Sequence, residues 1–302
     1  MKNIKDVFSS IYRLKFYIII FVVAFLVFFV VYFPQEQVIR MIFNNISAQV
    51  GKEIIPSEAS VSFFPAIGID FKSARISGNN NSSDLYLGET SVGIPLTSII
   101  TFSPSLDISS KSFNGDIDAK ILGLPIKPGK SPDEIYLDME SKGLLLSEIL
   151  KDQVLDIEAL VDLAIQGNLN LVNPSYSDVD ITSTLSKIQI KEGKIMGFPI
   201  PNVLIKKGEL AVAVAKNEII IAKMNLGTPS DDLNLYVKGK ISLKMNNPYD
   251  LNIKLKVTGE LAQQFASFLA MLPAQAKNTE GFYNIRIKGD KRSPIPQITP
   301  IQ

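Results

Sequence analysis

The stretch LNLYVKGKISLKMNNPYDLNIKLKV, Leu233–Val257, decides the fold. Leu233, Leu235 and Val237 alternate with polar residues, and after Gly239 the pattern resumes at Ile241, Leu243 and Met245. Leu251, Ile253, Leu255 and Val257 repeat it, with Asn252, Lys254 and Lys256 between them. A period of two marks an antiparallel strand with one apolar and one wet face. Leu233, Leu235, Val237, Ile241, Leu243, Leu251, Ile253 and Leu255 are therefore the candidates for lining an apolar groove.

The same alternation extends in both directions. It begins at Val61, with Ile67, Ile69 and Phe71, and continues through Leu85 and Leu87. Leu169, Ile188, Val203, Leu210, Val212 and Val214 carry it onward, and Tyr283, Ile285 and Ile287 close it. A Gly, a polar residue and an aliphatic one open several runs, at Gly115, Gly167, Gly193, Gly208 and Gly239. Their irregular spacing excludes a fixed-period solenoid and predicts Gly turns between meander strands. Helical spacing is rarer. Val38, Ile39, Ile42, Ile46 and Val50 predict a linker helix over Gln35–Val50 that caps the β core. Leu144–Leu150 reads as a short helix, and Leu261, Phe265, Phe268, Leu269 and Leu272 form a stripe ended by Pro273 that reads as a lid over a sheet end.

Phe16–Phe33, FYIIIFVVAFLVFFVVYF, contains no charge, Gly or Pro. Eighteen residues at ~1.5 Å rise span about 27 Å, enough for a transmembrane helix. No small-residue cleavage pattern follows, so the stretch reads as an uncleaved anchor. Lys2, Lys5, Arg13 and Lys15 precede it, which predicts a cytoplasmic N-terminus and a translocated bulk. The predicted layout is a cytoplasmic tail (1–15), a transmembrane helix (16–33), a linker helix (34–56), a periplasmic β domain (57–290) and a Pro-rich tail (291–302). The localisation that follows is the bacterial inner membrane, single-pass. The fold class is mainly β: a large curled antiparallel sheet, as groove or sandwich, with few short helices. Such a sheet hides its apolar face by pairing, by closing, or by curling into an open groove.

The chain has no Cys, His or Trp. That excludes disulfides, Cys/His zinc sites, and Ser-His-Asp or Cys-His nucleophilic catalysis. A net charge of +1 with no basic run argues against nucleic acid. Asp133-Glu134 and Asp231-Asp232 are adjacent carboxylates beside Ser-Pro or Pro-Ser, which reads as exposed turns rather than an acid–base pair. No catalytic, cofactor or metal residue is assigned, and the expectation is a non-enzymatic protein.

Two segments carry a resemblance. VSFFPAIGIDFKSARIS, Val61–Ser77, resembles the entry strands of AsmA-like periplasmic proteins. The Leu233–Val257 stretch with TGELAQQF, a short helix and EGFYNIRIKGDKRSPIPQI is similar to the end of the type II secretion protein family GspN in its long form. The elements of that likeness are Gly281, Phe282, Tyr283, Gly289 and Pro294. The resemblance implies an accessory subunit of a type II secretion system, with other secretion subunits and the inner membrane as partners. Its AsmA-like side implies instead a lipid-binding or lipid-transfer protein whose groove holds acyl chains. It implies no cofactor and no catalytic residues.

Overall fold

The computed structural model describes residues 20, 21, 24, 34–77, 84–124, 133–150, 156–195, 198–200, 202–243, 248–290 and 297–301. Helix α1 (Gln35–Val50) starts after Pro34 and stops at Gly51, whose left-handed conformation (φ 69°) lets its N–H bond the Ser47 carbonyl at 2.9 Å. Ile39 and Phe43, one turn apart, are buried against Phe71 and Ala74. Phe43 meets Phe71 edge-on, with ring centroids 5.8 Å apart. The predicted linker helix is thus a cap on the β structure.

Strands β1 (Ile54–Ser57), β4 (Ser73–Ile76) and β5 (Leu85–Leu87) form a small sheet beside α1. The main sheet has fourteen antiparallel strands. In spatial order from its N-terminal edge they are β2 (Ser60–Ser62), β3 (Ala66–Phe71), β6 (Glu89–Pro95), β7 (Leu106–Ser112), β8 (Gly115–Leu122), β9 (Glu134–Leu145), β10 (Ile157–Asn170), β11 (Asp178–Ile190), β14 (Val203–Ala215), β15 (Glu218–Leu226), β16 (Leu233–Ser242), β17 (Tyr249–Val257), β18 (Tyr283–Gly289) and β19 (Gln297–Pro300). The hairpin β12 (Gly193–Ile195) and β13 (Phe198–Ile200) stands apart between β11 and β14. The sheet is therefore a meander. Two tight turns have both central residues at positive φ, Phe113–Asn114 and Lys216–Asn217, the geometry that matches strand twist.

Three findings correct the sequence reading. The first concerns the expected transmembrane helix over Phe16–Phe33. No helix among the described residues is long and apolar enough to cross a membrane. Of that stretch only residues 20, 21 and 24 are described, as helix, and the rest lies outside the described residues. The single-pass, inner-membrane and periplasmic assignments built on it fall with it. Secondly, the sheet is neither a sandwich nor closed: its order runs from β2 to β19 without returning. At about 20–25° of twist per step, fourteen strands accumulate roughly 300°, so an open sheet of this width coils. Thirdly, Gly167, Gly208 and Gly239 lie inside β10, β14 and β16, not in turns. A Cβ at Gly167 would stand 2.1 Å from the Asp178 carbonyl oxygen, and one at Gly239 2.2 Å from that of Asp250. Gly167 and Gly239 thus permit close backbone approach at positive φ, and Gly208 makes room for neighbouring side chains, rather than reversing the chain.

The remaining helices are short. Helix α2 (Leu96–Ile100) joins β6 to β7, and α3 (Leu146–Ile149) follows β9. The predicted Leu261–Leu272 lid is two helices, α4 (Gly259–Gln264) and α5 (Ala266–Ala270), broken at Phe265.

Candidate functional site: the apolar face of the sheet

Strand register carries one row of residues across the whole sheet. From β2 to β19 it reads Val61, Ile69, Val92, Ile108, Ala119, Met139, Ile165, Ile181, Val212, Ile221, Gly239, Leu251, Ile287 and Ile298. Every member is apolar or Gly. The row one residue away, on the other face, reads Asp70, Ser91, Ser109, Asp118, Glu140, Ala164, Thr182, Ala211 and Lys223. This row is thus continuously apolar and the one beside it, on the other face, mostly polar, as alternation demands.

Burial divides the apolar face in two. At one end, Leu144, Val161, Ile188, Val203 and Ile205 are buried and Leu261 of α4 packs with them. Phe113, Leu146 of α3 and Phe265 complete this cluster. The left-handed residue Lys187 interrupts alternation in β11, and Ile188 rejoins Leu185 beside Gly208. Along the same end, Leu272 and Ala276 cover Leu255 and Ile285, and α1 covers Phe71. The three clusters therefore sit at one end of the strands, while Val179 is buried on the far side of the middle row. Across the middle row, by contrast, not one side chain is buried, and Ile298 is openly exposed. A filled core would bury such residues almost completely. Their half-burial is what a sheet face without a covering layer produces.

The eight predicted lining residues are split by this division. Leu233, Leu235, Val237, Ile241, Leu251, Ile253 and Leu255 share the apolar face through the pairs Leu235↔Leu255, Val237↔Ile253, Gly239↔Leu251 and Ile241↔Tyr249. Leu233, Leu235, Ile253 and Leu255 lie in the cluster of Leu269, Leu272 and Ala276. Ile241 and Leu251 lie in the uncovered part. Leu243 stands just past the end of β16 and is 47% exposed. The N-terminal half of the row was not singled out from sequence, although Ile117, Ala119 and Ile121 of β8 alternate as clearly as β17.

Polar groups on the capped end are paired. Thr90 Oγ1 and Ser110 Oγ lie 2.7 Å apart, Ser110 and Ser112 2.6 Å, and the Gly88 N–H donates to Ser112 Oγ at 2.8 Å. Asp231 belongs to this end and corrects its reading as an exposed turn: only 8% is exposed. Its Oδ2 accepts from the Thr228 N–H at 2.8 Å and the Lys206 N–H at 3.1 Å. Burial works to raise this carboxyl, but those backbone donors and the Lys206 ammonium outweigh it and hold it below the usual value.

The outer face carries ion pairs and shallow hollows. Arg286 forks onto Asp250 at 2.7 and 2.6 Å, and with Lys288 nearby the carboxyl is held down to about 2 despite partial desolvation. Lys207 and Lys223 likewise pair with Glu209 and hold it at about 2. A hollow of about 400 Å³ lies between Tyr236, Lys254, Phe282 and Ile301, with the Lys254 ammonium 4.3 Å from the Phe282 ring centre. Among the described residues, no group of three or more His, Cys, Asp or Glu could hold a metal ion. No family model, no curated protein and no solved structure matches this chain.

Proposed function

We propose that this chain is a non-catalytic lipid-binding protein whose uncovered apolar sheet face shelters acyl chains, of the kind that passes lipid from one site to another. One observation carries the reading: a row of apolar positions spans fourteen strands and none of its side chains is buried. Exposed apolar patches on soluble proteins rarely exceed a few hundred Å². Thirteen steps of ~4.8 Å make this row about 60 Å long, so solvent is a poor resident for it. Acyl chains are linear, apolar and indifferent to register, and they fit an elongated row that carries no polar side chain. The AsmA-like segment Val61–Ser77 agrees with this reading.

The test is lipid extraction and native mass spectrometry of the purified chain, with Ile165→Glu and Val212→Glu beside it. Both substitutions place a charge in the uncovered row. The wild-type chain is expected to carry lipid, and the variants to fold and lose it. Lipid-free wild-type protein would sink the proposal. The secretion-subunit reading, which the GspN-like segment supports, would then be the one to pursue.

A further inference from the structure

Three connections at one end of the strands stand out in their chemistry. The end opposite the caps holds the β2–β3 connection (63–65), the β6–β7 connection (96–105) and the β10–β11 connection (171–177). These three contain no charged residue at all, in a chain that is 20% charged. Asp133, Lys216 and Asp290 stand at the same end in other connections, and the sequence between the strands that meet there also holds Lys127, Lys130, Lys244, Lys291 and Arg292. At the capped end charge is dense: Lys72 and Arg75, Lys191 and Glu192, Asp231 and Asp232, Glu260, Lys277 and Glu280.

The charge-free connections also present large apolar groups outward. Phe64, Ile100, Phe102, Val172 and Tyr176 are between 73% and 82% exposed. The first two connections touch, since the Leu96 N–H bonds the Pro65 carbonyl at 3.2 Å. The third lies along the same rim, with β8 and β9 between. Ile67 and Leu106 continue the rim directly onto the apolar face.

We infer that this rim docks on the surface of a lipid bilayer, with its aromatic and aliphatic tips entering the headgroup–acyl boundary and the mouth of the groove facing the bilayer. The inference rests on the lipid-binding reading and adds to it where lipid enters and leaves. Three features select a bilayer over a protein. A protein interface of this size carries charges that fix register; these connections offer none. Aromatic and aliphatic tips without acidic groups are what the interfacial zone accepts. And the rim is continuous with the face proposed to hold acyl chains, so a lipid could move from one to the other without meeting water. Because these three connections carry no Lys or Arg, the entry of their tips should proceed into neutral lipid and should not be abolished by salt.

The chain lacks Trp, so a single introduced indole reports one position. Phe102→Trp places it on the rim. Leu204→Trp is the control: Leu204 is 66% exposed, on a strand at the capped end. The full-length variants are mixed with neutral phosphatidylcholine vesicles bearing brominated acyl chains, which quench indole on contact. Phe102→Trp emission is expected to fall about twofold, at low salt and still at high salt, with Leu204→Trp unchanged. No quenching of Phe102→Trp, equal quenching of both, or quenching that needs anionic lipid and vanishes in salt overturns the proposal. So does a dimer that Phe102→Ser dissolves, since the occupant would then be a second copy. Lipid carried by the purified Phe102→Ser chain keeps the two readings apart. If lipid is bound but the rim is not quenched, docking fails and the groove stands; if the rim is quenched but no lipid is bound, the groove fails and docking stands.

Discussion

The capped end and the middle of the sheet use the same face of the same strands, yet they have opposite packing. In β11, Ile188 is buried among Leu144, Val161 and Ile205, while Ile181, seven residues earlier on that strand, is only partly buried. Composition does not distinguish them, for both are isoleucines at inward positions. What differs is the chain that returns over them. Helices α3 and α4 and the Leu272–Ala276 segment all close one end and stop there. An apolar strand position is therefore not by itself a core position; it becomes one only where a connection folds back across it.

This contrast can be broken most directly by Ile205→Asp. Ile205 is 2% exposed, and an unpaired charge there should cost more than about 4 kcal/mol or prevent folding. Ile181→Asp should cost no more than about 2 kcal/mol, because its carboxylate can reach water. Equal losses in urea titrations would mean that the middle is as filled as the end. A smaller effect is expected at Asp231. Asp231→Ala leaves the Thr228 and Lys206 N–H groups without their acceptor and should cost about 1–3 kcal/mol. Its folded carboxyl titrates below its unfolded value, so its contribution is complete above that unfolded value and is lost as pH falls through the folded one. Asp231→Asn should accordingly flatten the acid limb of stability below about pH 4, and an unchanged limb would remove Asp231 from the closure of this end.

Overpacking sharpens the contrast further. A Cβ at Gly208 would lie 2.8 Å from Leu226 Cδ2 and 3.1 Å from Ile188 Cδ1. Gly208→Ala should cost about 1–2 kcal/mol by equilibrium unfolding if that end is packed to native density, and nothing if it is loose. The smallest effect belongs to the polar face. Lys254→Asp should change stability by about 0.5 kcal/mol or less, against a loss of several for Ile253→Asp on the same strand. Comparable losses would undo the assignment of faces.

Much of the architecture was legible because local chemistry determines it. The spacing of Val38, Ile39, Ile42 and Ile46 placed α1 over its observed length. Alternation in Leu251–Val257 placed β17 and told its faces apart. Gly167, Gly208 and Gly239 were misread as turns because Gly serves reversal and close approach equally well, and only the neighbouring strand decides. Asp231 was misread because Pro-Ser-Asp describes a turn, whereas its burial comes from the Lys206 backbone, 25 residues distant. The rim in 96–105 and 171–177 escaped notice because its apolar residues follow neither period. They become meaningful only when β3, β6, β7, β10 and β11 bring three connections to one end.

The meander also has a kinetic consequence. Apart from the skips from β3 to β6 and β11 to β14, every strand of the main sheet pairs with those next to it in the chain. Few pairings then have to wait for a long loop to close, which places this sheet among the more rapidly forming β architectures for its size. Cooperativity is correspondingly local, since each strand depends on two neighbours, as in a repeat array. Amide exchange should be slowest in β10, β11 and β14, which bear the capped cluster, and should quicken outward toward β2 and β19. The protein would then open from its edges, one strand at a time, while its centre stays folded.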